Sequence, residues 1–170
     1  MAEFRDVYTA LRQPTGRILQ RGLPSGKEDF FLGVCVWLRR PDGKYLISKR
    51  ASVKSNFPLK WEPTGGGVLA GETTLEAAKR EVFEELGLTI DMDQGSLFCT
   101  TRRLKPVFSS NSFEDVYLFE GDWPLSDVRF QEDETCDAKW ATPEEIRALI
   151  ARDEFVPARY YPYLDWLFGE

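Results

Sequence analysis

The chain has 170 residues, 42% hydrophobic and 14% aromatic, enough to bury one proper core and short for two. Its 22 basic against 28 acidic residues give a net charge of −6, which disfavours a nucleic-acid duplex or an anionic membrane and suits a small anion shielded by a cation. Cys35, Cys99 and Cys136 are too far apart for a disulfide framework or a thiolate zinc site, and histidine is absent; with no apolar run of about 18 residues and no apolar signal core, a reducing cytoplasm is the expected setting.

Residues 1–27 read as an N-terminal arm or hairpin, in which Phe4, Val7, Tyr8 and Leu11 precede the breaker run Gln13-Pro14-Thr15-Gly16 and Ile18 and Leu19 follow it. Residues 28–170 then form the core of a single domain. Phe31 to Leu38 is almost continuously apolar and predicts a strand buried on both faces, closed by the turn Arg40-Pro41-Asp42-Gly43, with Lys44 to Lys49 returning as its partner. Cys35 is a small core residue there, with no histidine to activate it. Ala51 to Lys60 is a polar loop leading to the glycine turn Gly65-Gly66-Gly67. Phe57 in that loop and Trp61 just after it either pack or stack on a base.

Thr73 and Glu76 have capping-box spacing, so a helix is predicted over Thr74 to Leu86, ended by Gly87. One stripe of this helix is Leu75, Ala78, Val82 and Leu86; an adjacent stripe gathers Glu81, Glu84 and Glu85 at i, i+3 and i+4. That second stripe is locally unfavourable. Like charges at these spacings cost about 0.2–0.5 kcal/mol per pair, and Glu84 and Glu85 sit at the negative end of the helix dipole. A divalent cation reverses the sign, because hard carboxylate oxygens within one turn are what Mg²⁺ or Mn²⁺ takes alongside phosphates and water. Leu88–Ile90, Ser96–Leu104 and Asp115–Glu120 read as further strands, Thr142 and Pro143 start a helix running to about Arg152, and a shorter helix ends the chain. Its aromatic set, from Tyr160 to Phe168, is either a lid on the core or a dimer surface. The pattern is α/β with a mixed sheet.

Gly66, Glu72, Arg80, Glu81, Val82, Glu84, Glu85, Gly87 and Leu88 match G-x5-E-x7-R-E-U-x-E-E-x-G-U, with U aliphatic, at every specified position. The stretch resembles the Nudix box, and Trp61 to Gly66 resembles that family's approach strand. The resemblance implies a Nudix-type α/β/α sandwich with a mixed central sheet, and a hydrolase that cleaves the pyrophosphate bond of a nucleoside diphosphate derivative. It implies that the backbone carbonyl of Gly65 and the carboxylates of Glu81, Glu84 and Glu85 hold one or more Mg²⁺ ions, with Mn²⁺ as the alternative. Arg80 would orient Glu81, Glu72 would brace the loop, and Gly66 and Gly87 would shape the box. The proton acceptor would be Glu81 or a late-loop carboxylate, Glu134, with Glu132 and Asp133 beside it. Arg102, with Arg103 and Lys105, would either meet a terminal phosphate or edge a solvated hairpin. Two other classes are a catalytically silent Nudix sensor, which has no need of a repelling carboxylate trio, and an isopentenyl-diphosphate isomerase, whose histidine ligands are missing here. Family members are often homodimers, so a dimer is a further expectation.

Overall fold

The structure, a computed structural model, describes residues 2–91, 95–131 and 133–169. It is α/β, with a large mixed sheet and few helices. The strands are β1 (Phe4–Tyr8), β2 (Pro14–Gln20), β3 (Phe30–Arg39), β4 (Tyr45–Arg50), β5 (Trp61–Glu62), β6 (Thr64–Gly67), β7 (Gly95–Arg103), β8 (Asn111–Glu120) and β9 (Thr135–Ala141). The helices are α1 (Thr74–Leu86), α2 (Pro143–Ala151) and α3 (Leu164–Leu167). The chain groups into two compact units, the first of Met1–Val36, Gly65–Val82 and Ile90–Phe119, the second of Trp37–Thr64, Phe83–Thr89 and Glu120–Glu170. Strand β3 contributes to the first through Val36 and to the second from Trp37; helix α1 contributes to the first through Val82 and to the second from Phe83.

In the first unit β1 and β2 form an antiparallel hairpin, with Phe4 opposite Gln20 and Tyr8 opposite Pro14. Its turn lies at Thr9–Gln13, where Thr9 N–H reaches Gln13 O at 2.9 Å and Arg12 takes φ +60°. The breaker run Gln13 to Gly16 is therefore not the turn: Pro14 opens β2, where a missing N–H is tolerated at a strand start. β6 pairs with β3, and β7 pairs antiparallel with β8 from Gly95 opposite Phe119 to Arg103 opposite Ser112. β8 starts at Asn111, earlier than the predicted Asp115. The buried Asn111 side chain explains the longer strand, accepting from Lys105 N–H at 2.9 Å and donating to Lys27 O at 2.8 Å. The predicted strand at Leu88–Ile90 is irregular backbone instead; Leu88 and Ile90 are buried singly rather than in a ladder.

Helix α1 has the predicted bounds. Thr73 and Glu76 exchange backbone and side-chain hydrogen bonds at 2.8 and 3.2 Å, closing the box, and Ala78, Val82 and Leu86 are buried. The cap satisfies two donors that the first turn would otherwise leave unpaired.

In the second unit β4 pairs antiparallel with β5 and with β9, from Tyr45 opposite Ala141 to Arg50 opposite Thr135. β9 escapes a pattern reading because TCDAKWA is polar and only partly buried, so its periodicity is weak. Thr142 caps α2 in a reciprocal box with Glu145, with Pro143 at the first helical position. The C-terminal aromatics close over Trp37: its indole N–H donates to Tyr163 OH at 3.1 Å, and Tyr45 OH donates to Leu167 O at 3.0 Å. Tyr161, Tyr163, Leu164 and Leu167 are buried, whereas Trp166 is exposed.

Two buried carboxylates of the first unit, Asp115 and Asp29, are each paired with an arginine. Arg12 donates to Asp115 at 2.8 and 2.5 Å, with Thr100 adding a bond at 2.7 Å, and Arg17 donates to Asp29 at 2.7 Å. Burial pushes Asp115 up, but the Arg12 and Thr100 hydrogen bonds outweigh it and hold the carboxyl below its ordinary value. A depressed folded-state pKa contributes stability above the unfolded value of about 4 and loses it as pH falls through the folded one. Arg12→Met should therefore destabilise the protein by about 2–3 kcal/mol near neutral pH, less than a fully buried pair because Arg12 is one-third exposed. The difference from the native chain should shrink below about pH 4. Urea denaturation at the two pH values checks this, and a pH-independent difference contradicts it.

Candidate active site

One guanidinium gathers the predicted box residues of the first unit. Arg80 Nε and Nη2 donate to the two oxygens of Glu72, each at 2.9 Å, a planar two-pronged pairing that only arginine makes. Its Nη1 donates to Glu81 Oε1 at 2.7 Å, and Nη2 also reaches the backbone carbonyl of Gly67 at 2.9 Å. Glu72 in turn accepts the N–H of Leu69 at 3.0 Å. Helix, loop carboxylate and glycine turn are thus tied at one charge, and all three side chains are largely buried.

The glycines follow from close approach. A Cβ on Gly66 would overlap the Glu81 carboxylate, and one on Gly65 would press into Val34 O and lie 3.2 Å from Cys35 Cα. No larger residue fits between β3 and the helix while Glu81 stays where Arg80 holds it. Strand β1 supports the same loop: Phe4 O accepts from Ala70 N–H and Asp6 Oδ2 from Gly71 N–H, both at 2.8 Å. Thr74 Oγ1 meets Tyr117 OH at 2.8 Å at the start of α1.

The pattern reading overlooked Glu114. It is buried, paired with Arg103, and its Oε2 lies 3.5 Å from where a Gly33 Cβ would stand, with Gly66 O 3.4 Å from the same point. The available signal was Glu114-Asp115 set between Phe113 and the apolar run Val116 to Phe119, since adjacent strand residues face opposite ways and two buried acids need two cations.

The remaining predicted residues fall elsewhere. Glu84 and Glu85 follow on the last turn of α1, one exposed and one half-buried. Gly87 takes φ +68° and ends the helix, its N–H bonded to Phe83 O at 2.8 Å. In the second unit Trp61 is buried, its backbone bonded to Glu154 and Val156 at 2.9 Å, with Lys139 Nζ 4.6 Å from the ring centre. Phe57 is half-buried, takes φ +50° and meets Tyr160 edge-on at 5.5 Å. Glu134 is ion-paired with Lys54, and its carbonyl accepts from Ala51 N–H at 2.8 Å. Asp133 is exposed, and Glu132 lies outside the described residues. Close by in that unit, burial pushes the Glu62 carboxyl up against the pull of Arg50. Arg102, in the first unit, is exposed and rests on the rings of Phe30 and Phe113, at 4.9 and 5.8 Å.

Among the described residues no three histidine, cysteine or acidic side chains are drawn together into a preformed cage. The donors nonetheless suit Mg²⁺: they are all oxygen, and the glycine turn meets the Glu81 carboxylate with no Cβ between them. Mg²⁺ is usually bound through one or two carboxylates plus phosphates and retains waters, so a full protein cage is not needed.

The profile of the NUDIX domain matches residues 29–166. A Nudix hydrolase of Listeria monocytogenes is 35% identical over 167 residues, spanning 96% of this chain and 92% of its own length. The nucleoside triphosphatase NudI of an Enterobacter species is 36% identical over 114 residues, 64% of this chain and 79% of its own. A crystal structure of a Deinococcus radiodurans protein matches with a TM-score of 0.74 at 27% identity, covering 96% of this chain and 98% of the other. The chain belongs to the Nudix family and is a hydrolase of phosphoric anhydride bonds.

Gly66→Ala should lower the melting temperature by a few degrees, as Glu81 is pushed off Arg80, and lower kcat by roughly 100-fold, the scale of a misplacement of about 1 Å. Steady-state rates and a thermal melt on the same preparation check this; a variant with native kcat would show that Glu81 tolerates displacement.

Proposed function

We propose that the chain, as one Nudix domain over residues 1–170 with its arm at 1–27, carries out metal-dependent hydrolysis of a pyrophosphate bond in a nucleoside diphosphate derivative. The observation that carries this is Glu81, held by Arg80 against a turn with no Cβ, on the helix that also bears Glu84 and Glu85. Glu81, Glu84, Glu85 and the Gly65 carbonyl would hold Mg²⁺ or Mn²⁺. When bound, the ion neutralises phosphate oxygens, lowers the pKa of water and stabilises charge on the leaving phosphate.

The chain's own residues then have defined work. Arg80 restricts Glu81 to one rotamer and offsets its repulsion from Glu84 and Glu85. Glu72 fixes Arg80 and, through Leu69, the loop. The proton acceptor is Glu81 or Glu134, the latter held in an ion pair with Lys54. Phe57, half-buried, retains surface for stacking on a base, whereas buried Trp61 serves packing. Arg102, exposed on its two aromatic rings, is left a rim contact with phosphate.

The similarity to a nucleoside triphosphatase supports a nucleoside triphosphate as the first candidate substrate. Three free cysteines suit a reducing cytoplasm, and no helix among the described residues is long and apolar enough to cross a membrane.

Turnover of a panel of nucleoside triphosphates, ADP-ribose and dinucleotide polyphosphates should require Mg²⁺ or Mn²⁺, stop on chelation and resume on readdition. Glu84→Gln and Glu85→Gln should each lose about 10²–10³-fold, several kcal/mol of transition-state stabilisation. Glu134→Gln separates the two acceptors: a native rate assigns the role to Glu81. Full activity in chelator, or in both α1 variants, contradicts the reading.

A further inference from the structure

Arg5, on β1 at the edge of the box loop, has a role that neither packing nor ion pairing accounts for. Its guanidinium carbon lies 4.1 Å from the centre of the Phe31 ring, and its Cδ is 3.7 Å from where a Gly67 Cβ would stand. Gly67 is the residue whose carbonyl Arg80 binds. Arg5 Nε is buried without a hydrogen-bond acceptor, and among the described residues no carboxylate pairs with this arginine. The neighbouring carboxylate, Glu3, is engaged by Arg21 at 2.6 Å, and β1 itself is pinned to the loop through Phe4 O and Asp6 Oδ2. Other buried arginines of this unit each hold an acid: Arg12 holds Asp115, Arg80 holds Glu72, and Arg103 holds Glu114.

A half-buried guanidinium remains charged, and desolvation without a counter-charge is costly. Burial lowers the Arg5 pKa, with Arg21 pushing the same way and Glu3 opposing. Cation–π contact recovers only about 0.5–2 kcal/mol. The strand is held to the loop by the Phe4 carbonyl and the Asp6 carboxylate, so its docking does not depend on the Arg5 side chain. What completes the site is an anion brought to the glycine turn.

We propose that Arg5 is a substrate-binding residue whose guanidinium takes an oxyanion of the substrate's phosphate chain at the Gly66–Gly67 turn, favouring a nucleoside triphosphate over a sugar-capped diphosphate. This rests on the hydrolase reading above and names its substrate class. The preference follows from charge: a terminal phosphate carries about −1.5 to −2 near neutral pH, whereas a bridging one carries a single charge. Guanidinium also offers two donors in the plane that phosphate oxygens occupy.

The test is calorimetric titration of inorganic triphosphate, with Mg²⁺ present, into the native chain, Arg5→Gln and Arg5→Lys. It is accompanied by thermal melts and by steady-state kinetics on a nucleoside triphosphate and on ADP-ribose. The native chain should bind triphosphate, Arg5→Gln should bind it roughly tenfold more weakly and Arg5→Lys in between, with melting temperatures unchanged. KM for the nucleoside triphosphate should rise by a similar factor in Arg5→Gln while kcat stays within about threefold and KM for ADP-ribose moves less. Equal triphosphate affinity in native and Arg5→Gln chains overturns the proposal, as does absence of triphosphate binding by the native chain. Because binding is read without turnover, a protein that binds triphosphate through Arg5 but hydrolyses nothing would overturn the hydrolase reading instead.

Discussion

Everything proposed for this chain depends on how Arg80 is shared. One guanidinium meets a loop acid, Glu72, a helix acid, Glu81, and the carbonyl of a glycine turn, Gly67. A lysine offers a point charge that cannot span three partners in fixed directions. The arrangement also offsets an electrostatic problem in α1, where Glu81, Glu84 and Glu85 repel one another near the negative end of the helix dipole. The positive charge lies on the Glu81 side of the stripe, so Glu81 is tied down while Glu84 and Glu85 continue the same helix.

Close approach is the second constraint. Gly65 and Gly66 are not needed for an unusual backbone angle; they are needed because β3 stands on one side and the Glu81 carboxylate on the other. Buried arginine–carboxylate pairs keep the surrounding strands in register. Asp115 and Glu114, neighbours on β8, face opposite ways and use Arg12 from the hairpin turn and Arg103 from β7. Such pairs contribute little net stability against an apolar replacement, but breaking one leaves a buried charge, so they discriminate against slipped pairing.

The helix of the box was legible because three independent signals agreed: the Thr73–Glu76 cap, the Leu86 stripe and the Gly87 stop. The second helix was legible from Thr142 and Pro143, and β3 from its unbroken apolar run. Misreadings occurred where tertiary contacts override local pattern. Pro14-Thr15-Gly16 has turn composition yet lies in a strand, because the five residues before it make the turn. Leu88–Ile90 alternates like a strand but is only buried point by point, and β9 is too polar to announce itself. Of the site, the residues in the motif could be named from spacing. Arg5 and Glu114 could not, since the first comes from a hairpin whose docking on the loop is fixed by backbone bonds and the second from a strand partner far along the chain.

The most direct test of the account is the affinity for Mn²⁺, read by electron paramagnetic resonance, in the native chain and in Arg80→Met. Simple electrostatics predicts that removing a positive charge beside a cation site tightens binding. If Arg80 instead acts by holding Glu81 in place, Mn²⁺ should bind about tenfold more weakly in the variant, the scale seen when support for metal ligands is lost. Binding that tightens or stays the same would mean that the Arg80–Glu81 contact does not organise the metal site, and the account would fail at its centre.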